Sequence, residues 1–157
     1  MSRTHHYAID LQWTGNYGSG TSDYRAYGRE HIIAAEGKSA SIQGSSDPGF
    51  RGDRTRYNPE ELLVASLSSC HMLWFLHLCS DAGIVVTSYE DRARGEMREN
   101  PDGAGEFVRV LLQPRVVITD ATRIPEAIRL HGEAHGKCFV ARSVNFPVEH
   151  QPEVSAA

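Results

Sequence analysis

The chain has 157 residues, enough for one domain with a real core, and a mild net charge of −4, from 16 Lys and Arg against 20 Asp and Glu. With no basic block, no stretch near the ~18 apolar residues of a membrane span and no apolar signal-peptide run after Met1-Ser-Arg-Thr-His-His, nucleic acid and membrane are excluded as partners and a cytoplasmic protein is expected. Three cysteines in such a compartment are no disulfide framework, so packing, metal binding and redox chemistry compete for them.

"YAIDLQWT" (Tyr7 to Thr14) alternates like a strand and stops at the Gly-rich Gly15 to Asp23. Tyr24 to Ala34 reads as a second strand, and the polar Gly44 to Tyr57 as a long loop, a kind that is often functional. A helix is predicted from Pro59 to about Ala82, stopped by Gly83. Ile84 to Glu99 and Glu106 to Ile118 read as two long strands around the Pro-Asp-Gly turn of "NPDGAG". A second helix starts at Pro125, with Asp120 or Thr122 as its cap, and fades at Gly136; Ser143 to His150 is a last strand, followed by a frayed tail. The order predicts an α+β fold with helices packed on antiparallel sheet. It is one domain over 1–157: strands and loop at 1–57, central helix at 58–83, hairpin, second helix and last strand at 84–150, and tail at 151–157.

The central helix begins with care. Asn58 suits the N-cap, Pro59 the first helical position, and Glu60 and Glu61 the positive end of the helix dipole; Glu61 also completes a capping box. About three turns in lies Cys70. One reading is a small, buried, inert thiol, since free cysteine is among the most buried residue types. Cys79 lies about 13.5 Å further along the axis, so the two cannot form a disulfide while the helix exists. Leu63, Leu67, Cys70 and Trp74 share one face, and Cys79, off that stripe, reads as packing. Cys138 follows the second helix and is free to approach Cys70, which makes a peroxidatic and resolving pair the redox alternative.

A metal site competes. His131, His135 and Cys138 read H-x3-H-x2-C, but "HGEAH" is neither zincin order, and an exposed histidine pair is more often just solvated. His71 as a base for Cys70 is disfavoured, because adjacent helix positions point about 100° apart.

"NPEELLVASLSSCHM" (Asn58 to Met72), "AGIVVTSYED" (Ala82 to Asp91) and "HGKCFVARSVNFPV" (His135 to Val148) together resemble the OsmC/Ohr family of thiol-dependent organic hydroperoxide reductases. The resemblance implies an OsmC-like fold and an intertwined homodimer. It also implies that Cys70 attacks an organic hydroperoxide and becomes a sulfenic acid, that Cys138 closes a disulfide, and that a lipoyl-type dithiol reopens it, with no cofactor and no metal. Glu60 matches the first glutamate of the family motif, which holds an arginine that polarises the thiolate. The family's arginine position falls within Thr14 to Thr21, which contains none, so Arg25 is the nearest substitute, with Arg51 and Arg29 behind it. "KCFVARSV" lacks the Cys-Pro-Tyr-Ser of the hydroperoxide-resistance subgroup, which places the chain in the OsmC-like branch. A non-catalytic module of this fold that binds a small apolar ligand is the alternative. Leu67, Trp74, Phe75 and Phe50 are the candidate apolar walls around the thiol.

Glu60 and Cys70 are ten positions apart, about 15 Å along one helix, more than a glutamate side chain spans. If both serve one site, the helix breaks between them or Glu60 serves the Cys70 of a second subunit related by a twofold.

Overall fold

The computed structural model describes residues 2–157, which form two compact units, one ending at Leu62 and one from Leu63 to Ala157. The first holds an antiparallel sheet of β1 (Asp10–Trp13), β2 (His31–Ala34) and β3 (Ile42–Gly44). Only the end of the predicted second strand is extended. Before it, the Arg29 guanidinium donates to the carbonyls of Tyr24 and Tyr27 and lies 4.4 and 4.0 Å from their ring centroids, which folds Tyr24 to Gly28 into a turn. Gly15 and Gly28 meet there backbone to backbone, and a Cβ on Gly15 would sit 2.1 Å from the Gly28 carbonyl oxygen, so no other residue fits. The strand β3 was not foreseen.

Helix α1 (Pro59–Asp81) opens with a reciprocal capping box: Glu61 N–H donates to Asn58 Oδ1 at 2.8 Å, and Asn58 N–H to Glu61 Oε2 at 3.1 Å. It closes with Gly83 at φ +69° and the bonds Ile84 N–H to Cys79 O and Gly83 N–H to Ser80 O, a Schellman ending. Contrary to the sequence expectation, α1 is long and apolar enough to cross a membrane. Four of its residues, Leu67, His71, Phe75 and Cys79 at i, i+4, i+8 and i+12, are buried in the fold.

In the second unit, each predicted long strand is two strands that belong to different sheets. The first becomes β4 (Val86–Asp91) and β5 (Arg94–Glu99); the second becomes β6 (Gly105–Leu112) and β7 (Pro114–Ile118). Pro114, with no N–H, ends one ladder, and Asp91 holds the break: its carboxylate accepts Gln113 N–H at 2.7 Å and the Ser68 hydroxyl of α1 at 2.5 Å. Two three-stranded sheets result, ordered β4-β7-β9 and β5-β6-β8. They are mixed rather than purely antiparallel. β8 (Val148–His150) runs parallel to β6, and β9 (Glu153–Ala156) parallel to β7, because the chain returns to each sheet only after α2 (Ile124–Lys137). The predicted last strand is thus shorter, with a 3-10 turn at Ala141–Ser143, and the expected frayed tail is the paired strand β9. Asp120 caps a 3-10 turn at Ala121–Arg123 that leads into α2.

Two apolar cores flank α1. Phe75 and Cys79 pack with Ile84, Val116, Ile118, Ala127, Leu130 and Ala134; Leu67 packs with Val110, Leu112 and Val148.

Candidate active site

The α1 stripe that faces the cores is not the one that carries Cys70. The buried stripe is Leu67, His71, Phe75 and Cys79, and Cys70 lies one position round from it, half-buried. There, Cys70 with Ser66, Ser69, Leu73, Trp74 and His77 lines an open cleft of about 560 Å³ together with Phe139 and Val140. Trp74 stands edge-on to Phe139 with ring centroids 5.5 Å apart, and Lys137 Nζ is 5.5 Å from the indole centroid. Of the expected walls, Trp74 lines the cleft, Leu67 and Phe75 are core residues instead, and Phe50 belongs to the N-terminal unit. Phe139 and Val140 were missed. Their signal was adjacency to Cys138, once the end of α2 is placed beside α1.

Cys138 caps the C-terminus of α2 and is buried. Its Sγ accepts Ala141 N–H at 3.4 Å, and its thiol neighbours that of Cys70. Burial pushes the Cys138 thiol up to about 11, the Ala141 N–H pulls it back in part, and Cys70 adds to the rise. Only about one molecule in 10⁴ would then carry the Cys138 thiolate at pH 7, so Cys138 is a poor first nucleophile. Cys79, also pushed up by burial to about 11, sits inside a core. The exposed edge of the thiol pair is therefore Cys70, and the sheltered one Cys138. That order suits attack on a substrate in the cleft by the first and closure by the second.

Glu60 lies in the first turn of α1, with a buried Oε2 that has no hydrogen-bond partner among the described residues. An unpartnered buried carboxylate oxygen calls for a donor, and an arginine would satisfy it. The arginine candidates all lie in the N-terminal unit. Arg29 is already committed to Tyr24 and Tyr27. Arg25 is exposed, and among the described residues its guanidinium has no partner. Arg51 ends a 3-10 turn at φ +65°, a left-handed conformation uncommon for a side-chain-bearing residue.

The histidines behave unlike a solvated pair. His131 is fully buried and hydrogen-bonded to His71, which faces the core rather than Cys70, while His135 turns toward His150, with ring centroids 5.5 Å apart. Among the described residues no three His, Cys, Asp or Glu side chains gather in a way that could hold a metal ion.

Two helices on mixed sheets, with Cys70 of α1 near the Cys138 that follows α2, define an α+β protein of the OsmC type. The match of residues 52–153 to the family model of OsmC-like protein is direct: the chain belongs to the OsmC-like family. An OsmC-like protein of unknown function from Vibrio cholerae O1 biovar eltor is 29% identical, with a TM-score of 0.86 over 96% of this chain and 100% of that one. An organic hydroperoxide resistance protein from Elizabethkingia anophelis shares the fold at a TM-score of 0.65 and 19% identity, covering 99% of this chain and 100% of that one. The organic hydroperoxide resistance protein OsmC of Legionella pneumophila does so at 0.67 and 16%, covering 97% and 99%. No protein of curated function matches the sequence.

Proposed function

We propose that this protein is a thiol-dependent peroxidase that reduces organic hydroperoxides to alcohols. The observation that supports the reading is the nearness of two unlike thiols, Cys70 lining an apolar cleft and Cys138 buried beside it. The Cys70 thiolate attacks the terminal peroxide oxygen, the O–O bond breaks, and the alkoxide leaves as the alcohol after taking a proton. The Cys70 sulfenic acid condenses with the Cys138 thiol, releasing water, and an external dithiol of the lipoyl type reopens the disulfide by exchange. The apolar lining favours alkyl or lipid peroxides over hydrogen peroxide.

Glu60 and Arg25 are proposed to complete the site, with Arg51 as the second choice for the cation. The buried Glu60 oxygen that lacks a partner supports this role. Since one straight helix separates Glu60 from Cys70 by about 15 Å, we further propose a homodimer in which the Glu60 of one copy serves the Cys70 of the other. A cytoplasmic setting fits a chemistry that needs reduced thiols.

Steady-state consumption of cumene hydroperoxide with a dithiol tests the reading. Cys70→Ser should abolish turnover, whereas Cys79→Ala should keep it and lose only about 1 kcal/mol of stability from a small core cavity. Turnover that survives in Cys70→Ser, or a wild type that binds apolar ligands without consuming peroxide, removes the peroxidase reading.

A further inference from the structure

One of the two thiols lies on α1 and the other caps α2, and a buried polar contact joins the same two helices. His71 Nε2 lies 2.9 Å from His131 Nδ1, with the rings 10° from parallel. The two residues are 1% and 0% exposed. Phe75 stacks on His131 at 3.8 Å between centroids, and His150 of β8 stands 5.5 Å from the His71 ring. Each ring's second nitrogen, His71 Nδ1 and His131 Nε2, is buried with no hydrogen-bond partner among the described residues. The bond between the rings is therefore the only one either makes there. A core that needed volume alone would be served at lower cost by leucine or phenylalanine.

Position suggests what the bond does. His71 directly follows Cys70, and His131 precedes Cys138 by two helical turns on the buried face that also holds Ala134. A slide or rotation of α2 along α1 would stretch the His71–His131 bond and separate the sulfurs together.

We propose that the His71–His131 hydrogen bond is a clamp that fixes the register of α1 against α2 and so holds the Cys138 thiol within reach of the Cys70 sulfenic acid. Both histidines are then positioning residues for the closing step. In that step the S–O bond of Cys70 breaks, the S–S bond forms, and the Cys138 proton leaves with the hydroxyl as water. The proposal rests on the two-thiol reading above. Coupling is reciprocal, so the closed disulfide in turn tightens the clamp.

The test is the fate of the sulfenic acid. In excess cumene hydroperoxide it partitions between disulfide and sulfinic acid, and the ratio is read by mass spectrometry. His71→Leu and His131→Leu keep apolar volume but remove the bond, and should raise the sulfinic share about tenfold relative to disulfide, on the scale of one lost buried hydrogen bond. His71→Gln and His131→Asn place an amide nitrogen where the ring nitrogen in use stood, and should recover most of the wild-type ratio. The swapped amides, His71→Asn and His131→Gln, misplace that nitrogen by one methylene and should not. If the leucine variants do not fold, the four amide variants decide. A wild-type ratio in folded leucine variants, or equal ratios in all four amide variants, overturns the clamp. A wild type that forms no disulfide at all overturns the two-thiol reading instead.

Discussion

Lowering the pH from 7 to 5 puts a proton on most histidines of an unfolded chain, but not on His71 and His131 in the fold. Burial holds His71 down to about 4, helped by His150 and His135, and holds His131 down to about 3, helped by His71 and His150. Both folded values lie below the ordinary 6.5, so the fold favours the neutral form. Its stability is fully present above about pH 6.5 and is lost as pH falls from there toward the folded values. Between pH 7 and 5 each imidazole then costs about 2 kcal/mol, and the pair, which shares one hydrogen bond, about 3–4 kcal/mol. For a chain of this size that is a fall in Tm of roughly 6–16 °C. The carboxyls of Asp53 and Asp120, held low chiefly by the Thr55 and Thr122 hydroxyls, act below this window. Urea unfolding at fixed protein concentration and ionic strength, at pH 7, 6 and 5, measures the effect. The double variant His71→Leu with His131→Leu should lose most of the slope. A wild-type midpoint that stays level from pH 7 to 5, or an equal slope in the double variant, would refute the reasoning.

Arg25→Ala should slow peroxide consumption by about tenfold or more while leaving the fold intact, and Arg25→Lys should recover little, because the planar fork that can bind a carboxylate and a peroxide together is lost. An unchanged rate in Arg25→Ala, with a slowed Arg51→Ala, would transfer the role to Arg51. Mixing Glu60→Ala chains with Cys70→Ser chains should regenerate part of the activity, since one site of each heterodimer then has neither substitution. No gain over the separate variants would count against a shared site.

The ends of α1 were the most legible part of the sequence. Asn58, Pro59, Glu61 and Gly83 announce α1 through short-range chemistry that the fold simply executes. Cys70 and Cys138 could be singled out because a peroxidatic pair needs a helix-borne thiol and a second thiol free to approach it, and the two are neighbours in the fold. What was misread depends on tertiary pairing. Periodicity gives a strand's length but not its sheet, so the change of sheet at Asp91 and Gln113 stayed hidden. β9 looked like a tail because Glu153 to Ala156 is short, polar at one end and stabilised only by its pairing with β7. The Leu63, Leu67, Cys70, Trp74 stripe was displaced by one helical position, since Cys70 and His71 are both plausible core residues and only the partners of His71 place it inside. Those partners, His131 and His150, lie 60 and 79 residues away in the chain, beyond any local pattern.

The closing disulfide is the most direct test of the whole account. Reduced protein given one equivalent of cumene hydroperoxide, quenched with a thiol-blocking reagent, digested and read by mass spectrometry should yield one peptide pair that links the Cys70 and Cys138 segments, lost again on treatment with a dithiol. Cys138→Ser should still consume the first equivalent, then accumulate sulfinic acid at Cys70 as more peroxide is added. Wild-type protein with Cys70 over-oxidised and Cys138 recovered as a blocked free thiol would contradict the account and return Cys138 to a packing role.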